Sequence, residues 1–290
     1  MPNVLPANLY ALGAIALWIT LAALGVYLKH LPPFLLTGLA LLIGSTLALP
    51  QVVKNPQAWR IPATTLALGV YGLFGFHFLL FIALRNAPPV EANLVNYLWP
   101  LLMVLLAPVF LPGLKLRVQH VIAGLMGFAG AAIAILGAGG GAGSGGWAWG
   151  YAPALASAFI WASYSLLTQR VKAFPTAAIG LFGLVSGLLS LLCHWILEPQ
   201  VALSNRDWLL IVLMGLGPLG AAFFLWDRAL KLGDARQIGI LSYFTPLGST
   251  ALLMVVSDRP LSWSVGLAAL MIVGAAALGT RPDSAPPTAH

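Results

Sequence analysis

Charge is what this chain has least of. Only 7% of its 290 residues are Asp, Glu, Lys or Arg, against roughly 25% in a soluble domain. So few charges cannot clothe a water-exposed surface, and lipid is the expected solvent for most of it. Cysteine is nearly missing: Cys193 stands alone. That excludes an intrachain disulfide and any cysteine-built zinc or iron–sulfur site within one chain. Acidic residues are scarce and sit near the ends of apolar runs, as Glu91, Glu198, Asp207, Asp227, Asp234 and Asp258. No buried acidic cluster suits sodium binding or a proton relay. Asp227 and Arg228 read as an interfacial charge pair.

What fills the chain instead is apolar. Hydrophobic residues make up 60%, and mean hydropathy is +0.94. A spanning helix needs about 20 mostly apolar residues. Ten stretches qualify, at 8–28, 32–50, 62–84, 89–110, 118–137, 148–170, 175–197, 207–230, 235–256 and 262–280. They are too long and too uniformly apolar for barrel strands, so each is read as a helix that satisfies its own backbone groups. The first stretch has no basic residue before it and Lys29, His30, Pro32 and Pro33 after it. It reads as a retained helix, not a cleaved signal peptide.

The net charge is +7, but the basic residues lie scattered between spans. They form no patch for nucleic acid. With the N-terminus in the cytoplasm, inside segments hold ten Lys and Arg and outside segments four. This favours both termini inside a plasma membrane.

Internal repetition is the next signal. Shifted by about 146 residues, Ala83-Leu84-Arg85 falls on Ala229-Leu230-Lys231, Tyr97 on Tyr243 and Pro100 on Pro246. Nearer the start the shift is about 143, and Trp18 falls on Trp161. The chain divides into a first five-helix repeat (1–137), a Gly-rich linker (138–147), a second five-helix repeat (148–280) and a disordered cytoplasmic tail (281–290). Five is odd, so the second repeat enters from the opposite face. Inverted repeats of this kind underlie alternating access in secondary transporters. The linker contains a formal GxGxxG, but no strand precedes it and a span follows, so no nucleotide site is read there.

Candidate functional residues follow from helical spacing. In the fourth stretch Asn93, Asn96, Tyr97 and Pro100 share one face, flanked by Trp99. Polar groups in a membrane helix usually face the bundle interior or a wet cavity. Pro100 has no N–H to donate and frees a carbonyl; Pro246, beside Tyr243, repeats the device. Trp161 and Tyr164 share a stripe with Ser157, Ser165 and Thr168. The tryptophan reads as cavity lining and the hydroxyls as helix–helix contacts. His77 is the one ionisable side chain deep in a span and could bond a substrate or carry a proton. Gly72 and Pro218 interrupt the third and eighth stretches at matching places, a pointer to kinks near a binding region.

The expected substrate-binding set is therefore His77, Asn93, Asn96, Tyr97, Trp99, Trp161, Tyr164 and Tyr243. The expected kink or gating set is Gly72, Pro100, Pro218 and Pro246. The cavity these residues imply is aromatic and amide-lined, without fixed charge. It suits a neutral or zwitterionic solute and calls for no metal or cofactor. Lipid is the surrounding partner. Oligomeric state is left open, a monomer being compatible.

These features resemble the EamA family of the drug/metabolite transporter superfamily. Val95-Asn96-Tyr97-Leu98-Trp99-Pro100-Leu101 is similar to the matching stretch of its aromatic amino acid exporters. The resemblance covers about residues 8–280. It implies a bacterial inner-membrane exporter of phenylalanine, tyrosine, tryptophan or related amino acids, with a central cavity carrying His77, Tyr97, Trp99 and Trp161. Within the same fold the competing expectation is a multidrug exporter of lipophilic or cationic solutes, for which a deep carboxylate is missing. An intramembrane enzyme is disfavoured, because no serine stands in a nucleophile setting and no metal triad is present.

Overall fold

A backbone in hydrocarbon must satisfy its own hydrogen bonds, and helices do this within one segment. The computed structural model describes residues 4–137, 148–256 and 263–280, and all secondary structure among them is helical. The expected linker and tail lie outside the described residues. Among the described residues, eight segments are long and apolar enough to cross a membrane: α1 (Leu5–Tyr27), α2 (Pro33–Lys54), α3 (Ala63–Asn86), α4 (Pro89–Phe110), α5 (Val118–Gly137), α7 (Ala178–Leu197), α8 (Asn205–Leu232) and α9 (Ala235–Val256). Between and after them lie α6 (Tyr151–Leu167) and the apolar α10 (Trp263–Gly279), each of 17 residues.

Proline and glycine decide where these segments deform. In α8 the helix widens to a π turn over Gly217–Ala221, because Pro218 has no N–H for the regular ladder. The carbonyl of Pro218 accepts instead from Trp18 Nε1 at 3.1 Å. The matching π turn in α3 spans Tyr71–Gly75 without a proline. There Gly72 lies so close to the Tyr164 ring that a Cβ would collide with it. In α4 regular helix stops at Asn96 and resumes at Trp99, one residue before Pro100. In α9 it stops at Leu241 and resumes at Phe244, two residues before Pro246. At both prolines the irregularity is two residues long: Tyr97 N–H still donates to the Asn93 carbonyl at 2.9 Å, and Ser242 N–H to the Ile238 carbonyl at 3.1 Å.

Packing sorts the segments into two groups of three. Helix α6 packs on α3 and α4, and α1 packs on α8 and α9. The groups meet where α4 contacts α9. Helices α2 and α7 pair at one flank, α5 and α10 at the other. Glycines make these pairings close: Gly38 sits at Gly187, and Gly130 at Ile272.

Charges are placed at helix ends. The Glu198 side chain is fully buried and accepts from the backbone N–H groups of Phe34 and Leu35 at 3.1–3.2 Å. It thereby caps the start of α2, whose first-turn donors have no partner within the helix. Arg85 Nη2 at 2.6 Å and His194 Nδ1 at 3.1 Å complete its shell. The expected Asp227–Arg228 pair does not form. Asp227 pairs with Lys231 at 2.6 Å and accepts from Thr176, because i and i+4 share a helix face whereas adjacent residues diverge. Arg228 reaches Tyr10 OH.

Candidate functional site

Between the two helix groups lies a cavity of about 780 Å³. Its floor is aromatic. Trp18 lies with its ring centroid 6.5 Å from Trp99 and 5.8 Å from Trp161. Trp161 stacks on Trp226 at 6.3 Å and meets Phe76 at 5.4 Å and Phe223 at 5.7 Å. Edge-to-face and offset contacts of this kind hold rings in fixed orientations. Two of the four indole N–H groups are committed, Trp18 to Pro218 and Trp226 to Ser165 Oγ at 3.1 Å. Those of Trp99 and Trp161 meet no protein acceptor among the described residues.

Polar groups sit above this floor. His77 Nδ1 lies 2.6 Å from the Leu73 carbonyl. A carbonyl only accepts, so Nδ1 carries the proton, and when the ring is neutral Nε2 is left as an acceptor for a ligand. Asn96 is held by Ser157 Oγ at 2.9 Å. Asn93 and Tyr97 line the same wall, and Thr245, Ser249 and Thr250 of α9 line the opposite one. Among the described residues, no Asp, Glu, Lys or Arg contributes to the lining.

The cavity is one-sided. From the floor its lining runs to Gly25 at the end of α1, Leu84 in α3, Val90 at the start of α4, Ile135 in α5 and Met254 in α9. The opposite ends of these helices contribute nothing to it. There the bundle is closed by polar contacts. Gln169 Nε2 donates to the Leu230 carbonyl at 2.7 Å, and Arg236 Nη1 to the Lys115 carbonyl at 2.7 Å. Lys231 joins Asp227 and the Phe174 carbonyl.

Of the residues expected to bind substrate, His77, Asn93, Asn96, Tyr97, Trp99 and Trp161 converge on this cavity, as does Pro246. Tyr164 does not line it. It is buried behind Trp161, at 5.4 Å, with its ring against Gly72. Tyr243 does not line it either; it is fully buried against Gly127 of α5, on the far side of α9. Gly72, Pro100 and Pro218 shape the backbone behind the wall. The hydroxyls of α9 escaped the sequence reading, although the spacing Thr245, Ser249 marks one helix face. Ser165, expected as a helix–helix contact, makes one by accepting from the buried Trp226 of α8. Among the described residues no three His, Cys, Asp or Glu side chains are placed to hold a metal.

Comparison with known proteins points to one transporter family. The model of the EamA-like transporter family matches residues 5–136 and again 148–280. The chain is 42% identical over 279 residues to the aromatic amino acid exporter YddG of Ancylobacter novellus, covering 94% of this chain and 96% of that protein. It is 30% identical to the aromatic amino acid exporter YddG of Escherichia coli, again covering 94% and 96%. A solved structure, 41% identical, superposes with a TM-score of 0.86 over 94% of this chain and 97% of that one.

Proposed function

Because the chain belongs to the EamA-like transporter family, we propose that it exports aromatic and other neutral amino acids by alternating access through the one-sided cavity. The observation that carries this reading is the lining: a tryptophan floor, amides and hydroxyls on the walls, and no fixed charge. Such a site offers an apolar side chain stacking surfaces, and an amino acid's polar end several neutral hydrogen-bond groups. The bound His77 tautomer offers Nε2 to the substrate ammonium. The free indole N–H groups of Trp99 and Trp161 suit its carboxylate.

The architecture in this proposal is ten crossings in two inverted repeats of five, with α6 and α10 as the two shorter crossings. Two observations support it. The family model matches each half separately. The π turns at 71–75 and 217–221 recur 146 residues apart, as do Pro100 and Pro246. The proposed setting is a bacterial plasma membrane with cytoplasmic termini, supported by the distribution of Lys and Arg. In that orientation the open end of the cavity faces outward.

The test is uptake of a panel of labelled amino acids by liposomes containing the purified protein, with and without a pH gradient. Saturable flux, lost in Trp99→Ala and His77→Ala, is the expected result. Flux indifferent to the gradient identifies a facilitator, and flux that follows it identifies proton coupling. No amino acid flux from folded protein would overturn the assignment and turn attention to lipophilic cations.

A further inference from the structure

The two ends of the cavity are not chemically equivalent. At the closed end, besides the Lys231 contact to the Phe174 carbonyl, whose counterpart at the open end is the equally basic Arg85, three polar contacts cross between the α3–α4–α6 group and the α1–α8–α9 group. Trp226 Nε1 of α8 donates to Ser165 Oγ of α6 at 3.1 Å. Gln169, just beyond α6, donates to the Leu230 carbonyl of α8 at 2.7 Å. Arg236 of α9 donates to the Lys115 carbonyl, in the loop after α4, at 2.7 Å. Trp226 is 1% exposed and Ser165 0%, so their bond is shielded from competing water.

The repeat spacing identifies the corresponding positions at the open end. A shift of 146 takes Trp226 to Leu80 and Arg236 to Val90, and a shift of 143 takes Ser165 to Ala22 and Gln169 to Val26. All four are apolar. Ala22, Leu80 and Val90 line the open part of the cavity. None of these side chains carries a donor or acceptor, so closure of this end cannot form the same three contacts.

We infer that Ser165, Gln169, Trp226 and Arg236 are positioning residues forming a one-sided latch. It makes the state closed at this end the resting state, and opening at this end must break it. The inference rests on the two-state carrier proposed above. The physical argument is population shift: a contact present in one state and impossible in the other biases the equilibrium by its full net strength. A single buried hydrogen bond is worth about fivefold.

The test reads accessibility, not flux. In full-length protein with Cys193→Ser, reconstituted in nanodiscs, two cysteine reporters are labelled with a maleimide that reaches both faces. Leu253→Cys reports the open end, since Leu253 lines the cavity. Ala107→Cys reports the closed end; Ala107 is fully buried and lies 146 residues before Leu253. Leu253→Cys is expected to label readily in every variant. Ala107→Cys is expected to label slowly in the parent and about fivefold faster with Ser165→Ala or Trp226→Phe. The two substitutions together should act no more strongly than either alone, because they remove one bond. Ser186→Ala, which deletes a buried hydroxyl without a partner in α7, should leave the rate unchanged.

Equal Ala107→Cys rates in the parent and both latch variants would overturn the latch, as would an equal acceleration by Ser186→Ala. A run with excess phenylalanine separates the latch from the carrier. If phenylalanine speeds Ala107→Cys labelling while the latch variants do not, the carrier stands and the latch falls. If Ala107→Cys stays unlabelled under every condition, both fall.

Discussion

At Trp99 a single side chain does two jobs. Its ring packs edge-on against Trp18 and Trp161, and its indole N–H meets no protein acceptor among the described residues. Trp99→Phe keeps most of the ring contact and removes the donor. It should raise the KM for amino acid flux several-fold with little change in unfolding temperature, as concentration-dependent uptake and a thermal melt would measure. Gly72 makes the opposite kind of prediction. A Cβ there collides with the Tyr164 ring, and overpacking of this sort costs about 1–3 kcal/mol. Gly72→Ala should lower the melting temperature, and Tyr164→Phe, which keeps the ring, should not. Asn93, Asn96, Tyr97, Trp99, Trp161 and His77 were legible in the sequence, because a polar or aromatic group deep in an apolar run has few other reasons to be there. Tyr243, expected at the cavity on the same logic, does not line it. Repetition predicts matching positions in the chain but not matching exposure: Trp18 and Trp161 both line the cavity, as do Trp99 and Thr245. Tyr97 lines it while Tyr243 is packed against Gly127.

Whole helices carry the next set of consequences. The start of α2 depends on Glu198, a residue 164 positions away from Phe34. Nothing local in the sequence of α2 announces that cap, since Pro32 and Pro33 explain only why the helix begins there. Glu198→Ala would leave two backbone donors, Arg85 and His194 without their acceptor. Breaking a buried pair typically costs about 3–5 kcal/mol, the exposed half of Arg85 reducing the loss. A clear drop in melting temperature is expected, and none would be evidence that water satisfies these groups. The π turn of α8 is legible from Pro218. That of α3 is legible only through the match of Gly72 to Pro218, because locally it rests on the fit of Gly72 to a ring from α6. Pro218→Ala restores an N–H and permits a regular turn. It should weaken the Trp18 bond and slow transport while leaving the protein folded, as uptake and thermal melts on one preparation would report.

For the whole molecule, charge scarcity and run length were enough to read a membrane-embedded helical protein, and the repeat spacing was enough to predict matched deformations in α3 and α8 and in α4 and α9. Which end is closed was not legible, because the closing contacts are made between helices far apart in the chain, as Gln169 to Leu230 and Arg236 to Lys115. The central claim is that one cavity carries amino acids across by opening to either side in turn. Counterflow tests it most directly. Liposomes containing the protein are loaded with unlabelled phenylalanine, diluted into trace labelled phenylalanine, and sampled over time. A carrier of this kind predicts a transient accumulation of label above its equilibrium level, which Trp99→Ala and His77→Ala abolish. Label that only rises to equilibrium, or never enters, would contradict it.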